Sequence, residues 1–190
     1  MFEGVVGHER ERRALSLTLE RWRSGRGSLH HAYLFAGREE PPRDEAGAER
    51  PAGQGQWRLA LEMGAALVSG GEEGPEYERA VEVLHPNLHV IAREGEQIRV
   101  DQLDELFHDL GLRSFDARPR VWIIDEADTL HPAAANRLLK SLEEPPQNVF
   151  FLLVTAEAER VLPTIVSRCH LVELGPVGAG DVLAYLRSRY

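Results

Sequence analysis

Two runs of this chain are apolar at every position, and they limit its possible folds more than any other feature. They are "VWII" at 121–124 and "VFFLLV" at 149–154. A strand that is apolar on both sides must be covered on both faces, as strands of parallel sheets are. Three further apolar runs, "AYLFAG", "NLHVIAR" and "HLVEL", alternate with segments of helical periodicity. The sequence therefore predicts an α/β fold, with a mainly parallel sheet flanked by helices on both faces.

The helices between these strands are predicted from apolar spacing and from residues that start or stop a helix. Asp101 is a candidate N-cap, and Gly111 lies near the end of the same helix. Pro132 suits the first turn of the next helix, and Pro145 with Pro146 would stop it. The predicted helices are 8–23, 56–68, 100–112, 131–146 and 180–190.

Composition excludes several classes of protein. The chain has 190 residues, enough for one domain and the start of a second. A formal charge of −9 argues against a surface that binds nucleic acid all over. Cys169 is the single cysteine, so no disulfide can form within the chain, which fits a reducing cytoplasm. No apolar run approaches the roughly 18 residues of a membrane span. We expect a cytoplasmic protein without a membrane partner.

Two carboxylates, Asp125 and Glu126, directly follow the strand "VWII". In nucleotide hydrolases, acids at such a strand end hold Mg²⁺ and polarise the attacking water. Strand ends are also commonly acidic because they are solvated. The pair alone is therefore only a hypothesis of a nucleotide site.

The residues that follow are more specific. "DEAD" is succeeded by "AAANRLLKSLEEPPQNVFFLLVT" and then by "LPTIVSRC". This series closely resembles the γ/τ and δ′ subunits of the bacterial DNA polymerase III clamp loader, and the resemblance extends from "VVGHE" through "HAYLF" to "SRC". It implies an AAA+ α/β domain, of the P-loop NTPase type, over 1–176. It also implies the start of a helical lid over 177–190, with the rest of the lid and the collar domain absent.

The segment 38–57 stands where this family carries its phosphate loop, G-x-x-x-x-G-K-[ST]. Counted from Gly37, the last three positions fall on 42–44, which read Pro-Arg-Asp. Counted back from the next helix, the lysine and hydroxyl positions fall on Gln56 and Trp57. Neither register supplies the lysine and the Mg²⁺-binding hydroxyl together. We expect a degenerate loop and no nucleotide on this chain, with ATP and Mg²⁺ on neighbouring subunits, which favours δ′ over γ/τ.

The resemblance assigns Arg168, in "SRC", as a finger donated in trans to a neighbour's γ-phosphate. Arginine suits this role because its planar fork donates several hydrogen bonds and stays charged. Ser167 and Cys169 would position the backbone around it. The alternative is a surface arginine in an ion pair. The residues left over from a lost nucleotide site would be Asp125, Glu126, Thr155 at the sensor position, Gln56 and Trp57.

Metal binding is not expected. The family usually carries a four-cysteine zinc module, whereas the matching interval here, "VSGGEEGPEYERAVEVLHP", has no cysteine. His85 and His89 are four residues apart, but Pro86 and Asn87 argue against the helix that would bring them together. The segment "PEYERAVEVL" would remain as a helix or turn.

The expected function is that of a δ′-like clamp-loader subunit. Such a subunit is not an enzyme on its own but stimulates the ATPase of its partners. Those partners would be γ/τ and δ, with the sliding clamp and primer–template DNA contacted through the complex. Two alternatives are a γ/τ-like ATPase with an unusual phosphate loop, and a stand-alone adaptor derived from an AAA+ domain.

Overall fold

The structure is a computed structural model that describes residues 2, 4–37, 54–111 and 118–189. Most of the predicted loop, from 38 to 53, lies outside the described residues, as does 112–117. Across the described part, no helix combines the length and the apolar character needed to cross a bilayer.

The described residues form one sheet whose five strands all run parallel, as predicted. The strand order is β2-β3-β4-β1-β5, so β3, β4 and β1 lie in the interior of the sheet. The strands are β1 (Ala32–Gly37), β2 (Leu88–Ile91), β3 (Arg120–Ile124), β4 (Val149–Thr155) and β5 (His170–Leu174).

The helices confirm the predicted alternation. Pro132 begins its helix as expected, and that helix ends before Pro145. The helices are α1 (Glu9–Arg23), α2 (Gln54–Val68), α3 (Pro75–Val81), α4 (Asp104–Gly111), α5 (Pro132–Glu143), α6 (Pro163–Val166) and α7 (Ala179–Arg189).

One boundary prediction is wrong. Asp101 does not cap α4, because a 3-10 turn over Asp101–Leu103 precedes that helix. Val100 already has right-handed helical backbone angles, so Asp101 lies inside the turn and cannot stand before it. Its carboxylate instead accepts a hydrogen bond from Arg99 Nε at 3.3 Å.

The sheet separates two apolar cores, as expected for helices on both faces. Alternate residues of β4 point to opposite sides: Leu152 contributes to the core under α1, α2 and α3, whereas Leu153 contributes to the core under α4, α5 and α6. All seven residues of β4 are buried. A one-residue slip of this strand would exchange the two sets of side chains, so the packing fixes its register.

A buried carboxylate ties the start of the chain to the first core. Glu62 on α2 is 2% exposed. Its Oε1 accepts hydrogen bonds from the Gly4 N–H at 3.0 Å and from Arg58 Nε at 2.7 Å, and Tyr77 OH donates to Oε2 at 3.3 Å. Burial, together with this carboxylate, raises the pKa of Tyr77 well above its ordinary value. Glu62 therefore joins three segments that are distant in sequence.

We predict that Glu62→Ala lowers the free energy of unfolding by about 1–3 kcal/mol, because the partly buried N–H of Gly4 and the Tyr77 hydroxyl lose their acceptor. Urea unfolding followed by circular dichroism measures the change. Glu62→Gln keeps one acceptor oxygen and should lose less. Glu20→Ala, on the exposed face of α1, serves as the control, and a loss as small as the control's would contradict the prediction.

Candidate functional site

The residues expected at a nucleotide site gather at one edge of the sheet. Gly37 and Thr155 are the last residues of β1 and β4, and Asp125 directly follows β3. These three strands are neighbours in the order β3-β4-β1. Because parallel strands all end at the same edge, the structure brings these residues together at the carboxyl edge, where open α/β sheets bind ligands.

The two side chains at the predicted lysine and hydroxyl positions are used for packing. Gln56 lies in the first turn of α2 and is fully buried, and its Nε2 donates to the carbonyl oxygen of Gly37 at 2.5 Å. A Cβ on Gly37 would lie 2.5 Å from the Leu174 carbonyl oxygen, so only glycine fits there. Trp57 is partly buried and packs against the core under α1, α2 and α3. Neither residue presents a charge or a hydroxyl to a phosphate.

The carboxylates after β3 are partly engaged within their own turn. Asp125 Oδ1 accepts the N–H of Glu126 at 2.9 Å. Burial raises the pKa of Asp125; the Glu126 N–H partly offsets this rise, and the nearby charges of Glu126 and Asp128 add to it. Glu126 has left-handed backbone angles, φ 48° and ψ 49°, which are uncommon for a residue with a side chain. Its carbonyl oxygen accepts from the Thr129 hydroxyl at 2.7 Å, which helps to hold this turn.

An arginine that sequence reasoning missed stands beside these carboxylates. Arg93 follows β2 at the same carboxyl edge, and its Nε donates to Glu126 Oε2 at 2.6 Å. Its charge also acts on Asp125 and Asp128. A guanidinium is therefore present next to the acids that would hold Mg²⁺ in an ATPase. The sequence signal that points to Arg93 is its position just after β2, the strand that neighbours β3.

Thr155, at the expected sensor position, also has local partners. It is 1% exposed, and its hydroxyl contacts Asp128 Oδ1 at 2.7 Å and the Glu157 carbonyl oxygen at 3.2 Å. The same oxygen accepts the Glu157 N–H at 3.1 Å. Thr155 therefore links the end of β4 to the turn after β3, and this contact holds the carboxyl edge together.

Arg168 lies at the opposite edge of the sheet. It follows the short helix α6 and precedes β5, so it belongs to the edge where the parallel strands begin. A five-residue strand such as β5 spans about 16 Å at 3.3 Å per residue. That separation places Arg168 away from the carboxyl edge of its own chain.

The Arg168 guanidinium is held by contacts on two sides. Nη1 donates to the carbonyl oxygen of Thr164 at 2.8 Å and to Ser167 Oγ at 3.3 Å, and Nη2 donates to Glu143 Oε1 at 2.5 Å. Ser167 therefore touches Arg168 directly. Cys169 packs partly buried against the core under α4, α5 and α6, and burial raises the pKa of its thiol to about 12. This thiol is protonated at neutral pH and is a poor nucleophile.

The two histidines considered for metal binding have separate partners. His85 is buried, with Nε2 3.4 Å from Glu76 Oε2. His89 stacks on Trp122 at 4.2 Å between ring centroids, and its Nδ1 lies 3.7 Å from Glu105 Oε1. Among the residues described, no group of three or more His, Cys, Asp and Glu side chains could hold a metal ion.

Comparison with solved structures shows the fold. One similar structure is RuvB, the Holliday junction branch migration motor of Thermotoga maritima. The match covers 96% of this chain and 50% of the RuvB chain, with a TM-score of 0.61 and 17% sequence identity. A DNA polymerase III gamma subunit-related protein of the same organism matches 83% of this chain and 45% of its own, with a TM-score of 0.55 and 23% identity. The chain has the AAA+ fold.

Comparison of sequences shows the family. The family model described as "DNA polymerase III, delta subunit" matches residues 18–178. The δ′ subunit of Bacillus subtilis is 31% identical over 155 residues, 78% of this chain and 43% of that protein. The γ/τ subunit of Mycobacterium tuberculosis H37Rv is 33% identical over 180 residues, 89% of this chain and 28% of that protein. The chain thus spans less than half the length of these relatives. It belongs to the DNA polymerase III delta-subunit family, the group of δ′ and γ/τ clamp-loader subunits.

Proposed function

We propose that this protein is a δ′-like subunit of the DNA polymerase III clamp loader. It does not hydrolyse ATP itself, and it supplies Arg168 in trans to the ATP site of a neighbouring γ/τ subunit. The observation that carries the proposal is the location of Arg168 at the amino edge of the sheet, opposite the carboxylates at the carboxyl edge.

The state of the chain's own nucleotide site supports the first half. Phosphoryl transfer depends on a lysine and backbone N–H groups around the phosphates and on a hydroxyl and carboxylates around Mg²⁺. Gln56 and Trp57 supply neither charge nor hydroxyl, and both are packed inward. Arg93 places a positive charge on Glu126, where an ATPase would use the carboxylate. Together these features favour a degenerate site without ATP or Mg²⁺.

The two edges of the sheet support the second half. An arginine near the start of β5 is separated from its own carboxyl edge by the length of the strand. It can meet a γ-phosphate only when that phosphate belongs to another chain. A planar guanidinium is the group best suited to stabilise charge that develops on the transferred phosphoryl oxygens.

The proposed partners follow from this role. The chain would sit beside γ/τ, with δ in the same ring, and would take part in loading the sliding clamp on primer–template DNA through the complex. ATP and Mg²⁺ would lie on the neighbouring subunits, and no zinc would be bound. We place this assembly in the cytoplasm. The lid would begin near 177, just before α7, which starts at Ala179.

A second candidate is a γ/τ-like ATPase, because identity to the M. tuberculosis γ/τ subunit, 33%, is as high as identity to the B. subtilis δ′ subunit, 31%. Identity alone does not separate these two functions. Nucleotide binding does.

We predict no Mg²⁺-dependent ATP binding by the chain up to about 1 mM, the upper end of ordinary substrate affinities, because the phosphate lysine and the metal hydroxyl are missing. Equilibrium dialysis with labelled ATP measures it, with a γ/τ subunit that has an intact phosphate loop as the positive control. Micromolar binding that disappears in Asp125→Asn would favour the γ/τ-like function and overturn the assignment.

We also predict that Arg168→Ala slows ATP hydrolysis at the γ/τ site that receives Arg168 by a factor on the order of 10³, a loss typical of a missing arginine finger. Single-turnover hydrolysis of prebound ATP in the reconstituted complex, with clamp and DNA present, resolves that site as one slow phase. Arg168→Lys keeps the charge but not the fork and should be intermediate.

The matched control is Arg160→Ala, which removes an exposed arginine from the neighbouring turn over Ala158–Arg160. It should leave the single-turnover trace unchanged. Identical traces for Arg168→Ala and Arg160→Ala would remove the finger role and leave the stand-alone adaptor as the better account.

A further inference from the structure

The guanidinium of Arg168 has two kinds of anchor in this chain. On one side, Nη1 folds back onto the preceding helix α6 and donates to the carbonyl oxygen of Thr164 at 2.8 Å. On the other side, Nη2 reaches a different helix and donates to Glu143 Oε1. The first anchor orients the side chain. The second neutralises the charge that a finger would need to present to phosphate.

Glu143 is an unfavourable residue at its position, apart from this contact. It is the last residue of α5, where the helix macrodipole disfavours negative charge and favours a cation such as Lys140 in the same turn. The Arg168 guanidinium offsets that penalty. Helices α5 and α6 pack against each other, so the two side chains meet although they are 25 residues apart in sequence.

The contact lies at the surface and can open. The Arg168 side chain is 34% exposed and the Glu143 side chain is 50% exposed. Solvent-exposed pairs of this kind contribute little to stability, because water screens them and two long side chains must be ordered. The fold therefore does not depend on the pair, and a phosphate with a larger negative charge can displace the carboxylate.

We propose that Glu143 is a latch on Arg168: it holds the guanidinium until a neighbour's nucleotide is brought close enough to compete for it. This rests on the trans role proposed above and adds its regulation. Glu143 and the γ-phosphate compete for the Nη2 side of the same guanidinium, while Thr164 and Ser167 keep the Nη1 side in place. The latch lowers hydrolysis in the unstimulated complex and has no effect once clamp and DNA have engaged the finger.

The contact is tested first in the chain alone. Phenylglyoxal modifies arginine side chains, and peptide mass mapping gives the rate at Arg168. Glu143→Gln should raise that rate about two- to fivefold, the range expected for loss of one exposed ion pair. The matched control is Glu144→Gln at the next residue, which is exposed and whose carboxylate makes no ion pair with any described residue. Equal rates for the two variants would overturn the latch.

The regulatory effect is tested in the reconstituted complex, by steady-state ATP hydrolysis with and without clamp and DNA. Glu143→Gln should raise the unstimulated rate about two- to fivefold and leave the stimulated rate unchanged. The double variant Glu143→Gln with Arg168→Ala should show no rise, because the effect acts through Arg168. A residue that only stabilises the fold would not produce this pattern.

The outcomes separate the latch from the finger. If Arg168→Ala lowers stimulated hydrolysis but Glu143→Gln matches Glu144→Gln, the finger role stands and the latch is wrong. A lower unstimulated rate in Glu143→Gln also contradicts the latch, since Glu143 would then support the finger in its working orientation. If Arg168→Ala has no effect, the proposed function fails and the latch fails with it.

Discussion

Burial of β4 on both faces is the constraint on which the rest of the structure depends. Its seven buried residues require helices on both sides of the sheet, and that arrangement goes with parallel strands. Parallel strands in turn give the sheet two unlike edges. Thr155 and Asp125 lie at the edge where strands end, and Arg168 lies at the edge where they begin. The separation of these two groups is thus a consequence of how the core is packed.

The contacts at the carboxyl edge explain how residues of a nucleotide site can remain without a nucleotide. Thr155 contacts Asp128, Asp125 accepts the Glu126 N–H, and Arg93 pairs with Glu126. Each contact ties one strand end to the turn after β3 or holds that turn itself. A buried hydroxyl that loses its partner costs about 1–3 kcal/mol. The side chains at this edge therefore have a structural role that does not require phosphate or metal.

Sequence reasoning reached the fold because its signals are local. The apolar runs predicted the strands, and Pro132 predicted the start of α5. The N-cap assignment of Asp101 failed because Val100 already has helical backbone angles, so the helical backbone begins before Asp101 and not after it. The candidate site was predicted less completely. Arg93 and Glu126 are 33 residues apart, and Arg168 and Glu143 are 25 apart, so no local pattern links either pair.

The two edges also differ in how far the fold relies on them. Gln56 and Thr155 are buried and hydrogen-bonded, so changing Gln56 disturbs the contact between α2 and β1, and changing Thr155 disturbs the contact between β4 and the turn after β3. Arg168 and Glu143 are partly exposed, and their pair contributes little to stability. Substitution at Arg168 can therefore report on its chemistry with little loss of folding. The carboxyl edge lacks that property, because a loss of function there could come equally from a damaged core.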